Sequence, residues 1–105
     1  MNKLTFSYRT GERAGGNRTS ALVGVVASGN LEVLLERSLG AEDCVIEVAT
    51  PVNGFDDVWA TVLADFVDRA SPGGLRISIN DGGARPDAVT LRLLQGMRMM
   101  EGDNG

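Results

Sequence analysis

The chain has no histidine and a single cysteine, Cys44, among its 105 residues. Without imidazole, a serine or thiol nucleophile lacks its usual activating base, and His-ligated metal centres are excluded. One cysteine cannot form an internal disulfide. Aromatic residues are few: Phe6, Phe55, Phe66, Tyr8 and Trp59 complete the set. The ten Lys and Arg residues stand singly, and the net charge is -4. A nucleic-acid surface needs clustered cations to displace counterions from phosphates and aromatic faces to stack bases, so nucleic acid is excluded as a partner. No apolar run approaches the length that spans a bilayer. Met1 to Tyr8 lacks the basic and apolar regions of a signal peptide. A cytoplasmic protein with no membrane partner is expected.

What is present suits one small domain. Hydrophobic residues make up 43% of the chain, ordinary for a globular fold. A chain of this length buries a modest core and has no room for a cleft between two lobes. That favours a binding module or a carrier over an enzyme. Residues 1–105 are expected to form a single domain, with an ordered core over 1–100 and a frayed tail over 101–105.

Apolar alternation predicts strands at Leu4–Tyr8, Leu31–Glu36, Cys44–Val48 and Leu75–Ile79. Ala21–Ala27 is almost continuously apolar and rich in β-branched residues, which predicts a buried strand. Gly11–Ser20 is polar and is expected to be a mobile loop. A helix is predicted from about Gly54 to Ala70, because Phe55, Val58, Trp59, Val62, Leu63, Phe66 and Val67 recur at three- and four-residue spacing. Asn53 is its expected N-cap, and Ser71-Pro72-Gly73-Gly74 its stop. Pro86–Met100 fits both periods; Pro86 at a first helical position selects helix. The resulting fold class is α/β (α+β), a small mixed or antiparallel sheet covered by two helices, not a four-helix carrier bundle.

Ser28-Gly29-Asn30 lies between two predicted strands. Glycine and asparagine accept positive φ, so these residues predict a hairpin turn with Ser28 at an exposed tip. Ala27 and Gly29 leave room for a modifying enzyme to reach the hydroxyl. Taken alone, the turn marks Ser28 as accessible and nothing more, and an ordinary turn serine is the plainer explanation.

A resemblance adds chemistry. Leu22-Val23-Gly24-Val25-Val26-Ala27-Ser28-Gly29-Asn30-Leu31-Glu32-Val33-Leu34-Leu35-Glu36 resembles the prosthetic-group segment of malonate decarboxylase acyl carrier subunits, with its V-G-S-G-D-L-E-V-L run. Thr50-Pro51-Val52-Asn53-Gly54 followed by Trp59 resembles the family's T-S-V-N-G and Trp. The segment from Asp81 to Gln95 is similar to its D-x-G-A-T-P-G-V-V-x-L-R-L-E-Q. The three blocks stand in order along nearly the whole chain. Ala27 replaces the family's usual Gly, Asn30 its Asp, and Arg85 a Thr that would cap the last helix.

The resemblance implies that Ser28 carries 2'-(5''-phosphoribosyl)-3'-dephospho-coenzyme A through a phosphodiester, in the turn formed with Ala27, Gly29 and Asn30. It implies no metal. The terminal thiol would hold acetyl, which a malonyl transferase subunit exchanges for malonyl and a decarboxylase subunit regenerates with loss of carbon dioxide. A thioester lets the developing carbanion delocalise as an enolate, which free malonate does not allow. The chain itself would be a non-catalytic subunit. Its implied partners are the transferase and decarboxylase subunits and the holo-carrier synthase, a phosphoribosyl-dephospho-coenzyme A transferase. A citrate lyase-type carrier and an unmodified interaction domain are the alternatives.

Other residues carry plainer readings. Cys44 alternates with Ile46 and Val48, as a small buried hydrophobe would. Ser38 in Arg37-Ser38-Leu39 lacks the Asp that precedes the modified serine of four-helix carriers. Asp81 and Asp87 suit a turn and a helix start, and two carboxylates are too few for a cation site. Trp59 fits the core face of its helix. Arg92 fits a solvated helix surface or a contact to partners or cofactor phosphates. Met97, Met99 and Met100 fit helix packing or an apolar docking patch.

Overall fold

The computed structural model describes residues 2–24, 31–51 and 53–102. The described residues form five strands and two helices: β1 (Asn2–Arg9), β2 (Ser20–Val23), β3 (Leu31–Arg37), β4 (Asp43–Thr50), α1 (Asp56–Ala70), β5 (Leu75–Asp81) and α2 (Pro86–Met100). They build one mixed sheet of order β1-β4-β5-β3-β2. β4 and β5 are parallel, and the other pairs are antiparallel. A parallel pair requires a crossover, and α1 supplies it.

Both helices pack on one face of the sheet, as the two-residue period of the strands requires. Leu31, Val33 and Leu35 of β3, Cys44, Ile46 and Val48 of β4, and Leu75, Ile77 and Ile79 of β5 are all buried. Trp59, Leu63 and Phe66 of α1 and Val89, Leu93, Met97 and Met100 of α2 complete the core. Each large side chain buried this way is worth about 1.5–3 kcal/mol. α2 lies close on β2 and β3 at Gly96, where a Cβ would stand 2.5 Å from Leu35 Cδ1. The ambiguity of 86–100 is resolved by burial: Val89, Leu93 and Met97 share the core face, and Leu91 is 67% exposed. Met97 and Met100 belong to the packing, as does half-buried Met99.

Several expectations need correction. α1 starts at Asp56, not Gly54, because Gly54 holds a φ of 87°. Phe55 occupies the N-cap position without a side-chain cap, and the Asn53 side chain instead accepts a hydrogen bond from Asn2 Nδ2. The helix does end at Ser71: its N–H makes a last i→i−4 bond to Val67 O at 3.0 Å, and its left-handed φ of 46° then turns the chain out of the helix. The strand expected over Ala21–Ala27 is described as Ser20–Val23; it stops at Gly24, whose φ is 81°, and Val25–Ala27 lie outside the described residues.

The polar loop before β2 is anchored, not free. Ala14 is buried, and its N–H donates to Gly73 O at 2.9 Å. The Arg37 guanidinium donates to Ala14 O, Gly15 O and Arg18 O within 2.9 Å, and to Met100 O at 3.1 Å. One planar donor fork thus gathers the loop and the end of α2.

Candidate functional site

Ser28, Ala27, Gly29 and Asn30 lie outside the described residues. The structure does describe the two ends of the segment that holds them. β2 and β3 pair antiparallel from Ser20↔Glu36 to Val23↔Val33. Residues 24–32 connect the last pair, and Ser28 is the middle residue of that connection.

Gly24 opens the connection in a way only glycine can. Its φ is 81°, and a Cβ would stand 2.4 Å from the Leu31 carbonyl oxygen and 2.8 Å from Arg92 Nη1. The guanidinium of α2 therefore lies directly against the start of this segment. Arg92 is half-buried, and it makes no ion pair or hydrogen bond among the described residues. The periodicity of α2 alone left the direction of Arg92 open. Nothing local in the sequence joins Arg92 to Gly24, which stands sixty-eight residues before it.

Leu31 closes the connection, fully buried, and pairs with Asp81 at the end of β5. This end of the sheet also holds a cleft of about 330 Å³, lined by Phe55, Val58, Trp59, Val89, Thr50 and Asp81 among others. It opens where β4 and β5 finish and both helices begin. Phe55 and Val58 are exposed at 49% and 39%, whereas Trp59 is buried as its helical position requires. Asp81, the one carboxylate among the described residues lining the cleft, is occupied. Asp81 Oδ2 accepts from Thr50 Oγ1 at 2.8 Å, and Oδ1 accepts from the Gly83 and Ala84 N–H groups at 2.9 and 2.8 Å. Asp81 is thus a turn-forming residue, as read. Asp87 stands apart from it, exposed, accepting from Ala88 N and lying 3.7 Å from Arg85. No group of acids and thiols that could hold a metal occurs among the described residues.

The competing attachment points are poorly placed. Cys44 is fully buried in β4 opposite Tyr8, and burial pushes its thiol up to about 12. The nucleophilic thiolate is therefore suppressed at neutral pH. Ser38 is exposed, but it follows β3 at the end of the strand opposite Leu31, with its N–H held by Gly74 O at 3.1 Å. No helix among the described residues is long and apolar enough to cross a membrane.

The model of the malonate decarboxylase delta subunit family matches residues 18–100. The malonate decarboxylase acyl carrier protein of Bradyrhizobium diazoefficiens is 55% identical over 105 residues, covering 100% of this chain and 99% of that one. The protein of the same name from Acinetobacter calcoaceticus is 43% identical over 107 residues, covering 98% of this chain and 100% of its own. A chain in the crystal structure of a Pseudomonas malonate decarboxylase hetero-tetramer in complex with malonate superposes with a TM-score of 0.82. The two are 40% identical, over 95% of this chain and 99% of that chain.

Proposed function

The chain belongs to the malonate decarboxylase delta subunit family, and from that premise we propose that it is the acyl carrier of such a decarboxylase, modified on Ser28. The observation that carries this reading is the end-to-end likeness to carriers of that name, shared by sequence and fold. The same likeness favours the malonate system over a citrate lyase-type carrier.

The proposed group is 2'-(5''-phosphoribosyl)-3'-dephospho-coenzyme A, esterified to Ser28 Oγ through phosphate. When bound, it supplies a thiol that carries acetyl and malonyl as thioesters. The residues present suit a phosphate-bearing group: the guanidinium of Arg92, which has no ion pair or hydrogen bond among the described residues, lies beside Gly24 at the start of the connection that holds Ser28. The chain provides a serine hydroxyl at the centre of a nine-residue connection, residues 24–32, rooted in paired strands. Tethering the acyl group there keeps it at high local concentration for each partner site. The partners are the transferase and decarboxylase subunits, which perform the chemistry in the cytoplasm, and the holo-carrier synthase that installs the group. The carrier itself brings no imidazole, no free carboxylate in the described cleft and no reactive thiol.

The test is mass spectrometry of protein co-expressed with its cognate synthase. Holo protein should exceed the sequence mass by one phosphoribosyl-dephospho-coenzyme A unit. Trypsin places Ser20 and Ser28 on one peptide, between Arg18 and Arg37, so fragment ions must separate the two. An adduct on Ser20, Ser38 or Cys44 overturns the assignment.

A further inference from the structure

We infer that the cleft at the start of α1 is a protein-docking seat, and that its occupant is an apolar side chain of a catalytic subunit, set among that subunit's lysines or arginines. This rests on the carrier reading given above, names the surface by which the chain is recognised, and does not depend on the modification of Ser28.

What the cleft can hold follows from its lining. Thr50 and Asp81 are engaged with each other, and Asp81 also holds the Gly83 and Ala84 N–H groups. Much of the remaining wall is carbon from Phe55, Val58, Trp59 and Val89. The volume of about 330 Å³ lies near the lower limit of small-molecule pockets, about 300 Å³. An inserted apolar side chain satisfies such a wall, and a polar metabolite does not.

The exposed hydrophobics point the same way. Large apolar side chains are exposed at Leu22, Phe55, Val58 and Leu91. Leu22 and Leu91 stand singly on β2 and α2, outside the cleft, as scattered surface leucines commonly do. Phe55 and Val58 open into one cleft together, and an apolar patch rimmed by polar residues marks an interaction site.

Charge sets the chemistry of the partner. Phe55-Asp56-Asp57-Val58 is contiguous and exposed throughout, so two carboxylates stand between the two apolar side chains. Neither aspartate makes an ion pair among the described residues. α1 carries four aspartates against one arginine, in a chain of net charge -4. Arg85, the one cation among the described residues lining the cleft, faces Asp87 at 3.7 Å. This field attracts a cationic protein surface and repels anionic lipid. The cleft also lies at the sheet end where Leu31, which closes the connection holding Ser28, pairs with Asp81. A subunit seated there grips the domain by the end from which that connection leaves.

The test uses the full-length carrier and the cognate transferase and decarboxylase subunits, purified as a complex without carrier. Association and dissociation are followed by surface plasmon resonance at low and high salt. The variants are Phe55→Ser with Val58→Ser, Asp56→Asn with Asp57→Asn, and the controls Leu22→Ser and Leu91→Ser, each checked for folding by thermal denaturation. The apolar pair should weaken binding more than about tenfold, mainly through faster dissociation. The aspartate pair should slow association by about three- to tenfold at low salt, with the difference lost at high salt. Both controls should bind as wild type does. Trp59 is the chain's one tryptophan and lines the cleft, so carrier labelled with 5-fluorotryptophan reports occupancy through a single ¹⁹F resonance, which should shift on binding. Wild type that binds no subunit defeats the carrier reading and this inference with it. A wild-type complex with an unmoved ¹⁹F resonance overturns the seat alone, as does wild-type affinity in a folded Phe55 and Val58 variant. Unchanged association of the aspartate variant at low salt overturns the cationic partner.

Discussion

Thr50 Oγ1 donates to Asp81 Oδ2 at 2.8 Å, joining the ends of the parallel strands β4 and β5 with both residues buried. The other Asp81 oxygen holds the Gly83 and Ala84 N–H groups, so one carboxylate closes the sheet end and shapes the turn into α2. Asp81→Ala removes all of these acceptors and leaves backbone donors to be satisfied by water or not at all. A loss of about 2–4 kcal/mol is expected from urea denaturation, since each buried orphan costs about 1–3 kcal/mol. Asp81→Asn should lose less, because it keeps a carbonyl for the two N–H groups and the Thr50 hydroxyl can turn to accept. Equal losses for the two variants would mean that the negative charge and second acceptor oxygen of the carboxylate, which Asn lacks, carry the whole contribution.

Gly24→Ala should destabilise the apo protein by about 1–3 kcal/mol. The φ of 81° is unfavourable for any side chain. The new methyl would also meet the Leu31 carbonyl at 2.4 Å, and a backbone oxygen inside a sheet cannot move aside cheaply. Thermal or urea denaturation checks this, and a stability within 0.5 kcal/mol of wild type, roughly the noise of a surface change, would contradict the glycine requirement.

Much of this fold was legible because its strands obey a strict two-residue period. Val33 and Leu35 alternate with Glu32, Leu34 and Glu36, and the buried positions are the ones the pattern marks. The same holds for Cys44, Ile46 and Val48. Helix α2 was legible through Pro86, since Val89, Leu91 and Leu93 also alternate like a strand. What the pattern could not carry was long-range. Nothing local says that Asn53 turns to Asn2 instead of capping α1, or that Arg37 ties the loop at Ala14 to the end of α2. The requirement for glycine at position 24 is not written in the apolar run around it, because it depends on Leu31 and Arg92, seven and sixty-eight residues away. The candidate site was legible as a serine between turn formers, and its family chemistry came from resemblance, not from spacing.

The Cys44 thiol should make stability depend on alkaline pH. Burial raises it to about 12, while in the unfolded chain it ionises near 9. Below pH 9 both states are protonated and the thiol contributes no pH dependence. Above pH 9 the unfolded chain releases a proton that the native state keeps, so stability falls with rising pH until about 12. The slope for one group is about 1.4 kcal/mol per pH unit. Urea denaturation of wild type and Cys44→Val at pH 8 and pH 10 should show the wild type losing about that much more than the variant. Native Cys44 should also resist thiol-specific alkylation at pH 8 until urea unfolds the chain.

The final comparison separates a carrier from a protein that uses its own thiol. Ser28→Ala removes a single oxygen from the connection between β2 and β3, and a stability change of less than about 0.5 kcal/mol is expected. It should leave binding to the other decarboxylase subunits intact while abolishing both the holo mass and malonate turnover, because no oxygen remains to form the ester. Cys44→Val behaves oppositely. It exchanges one small buried side chain for another at a cost below about 1.5 kcal/mol, and the holo complex should decarboxylate malonate at the wild-type rate. Both variants must be measured in complexes assembled with the same partner subunits and the same synthase, with the holo fraction read by mass. Wild-type carbon dioxide release from the Ser28→Ala complex would remove the serine from the mechanism. Loss of turnover in a folded, fully modified Cys44→Val complex would make the protein's own sulfur the acyl acceptor, against the burial that keeps that thiol protonated.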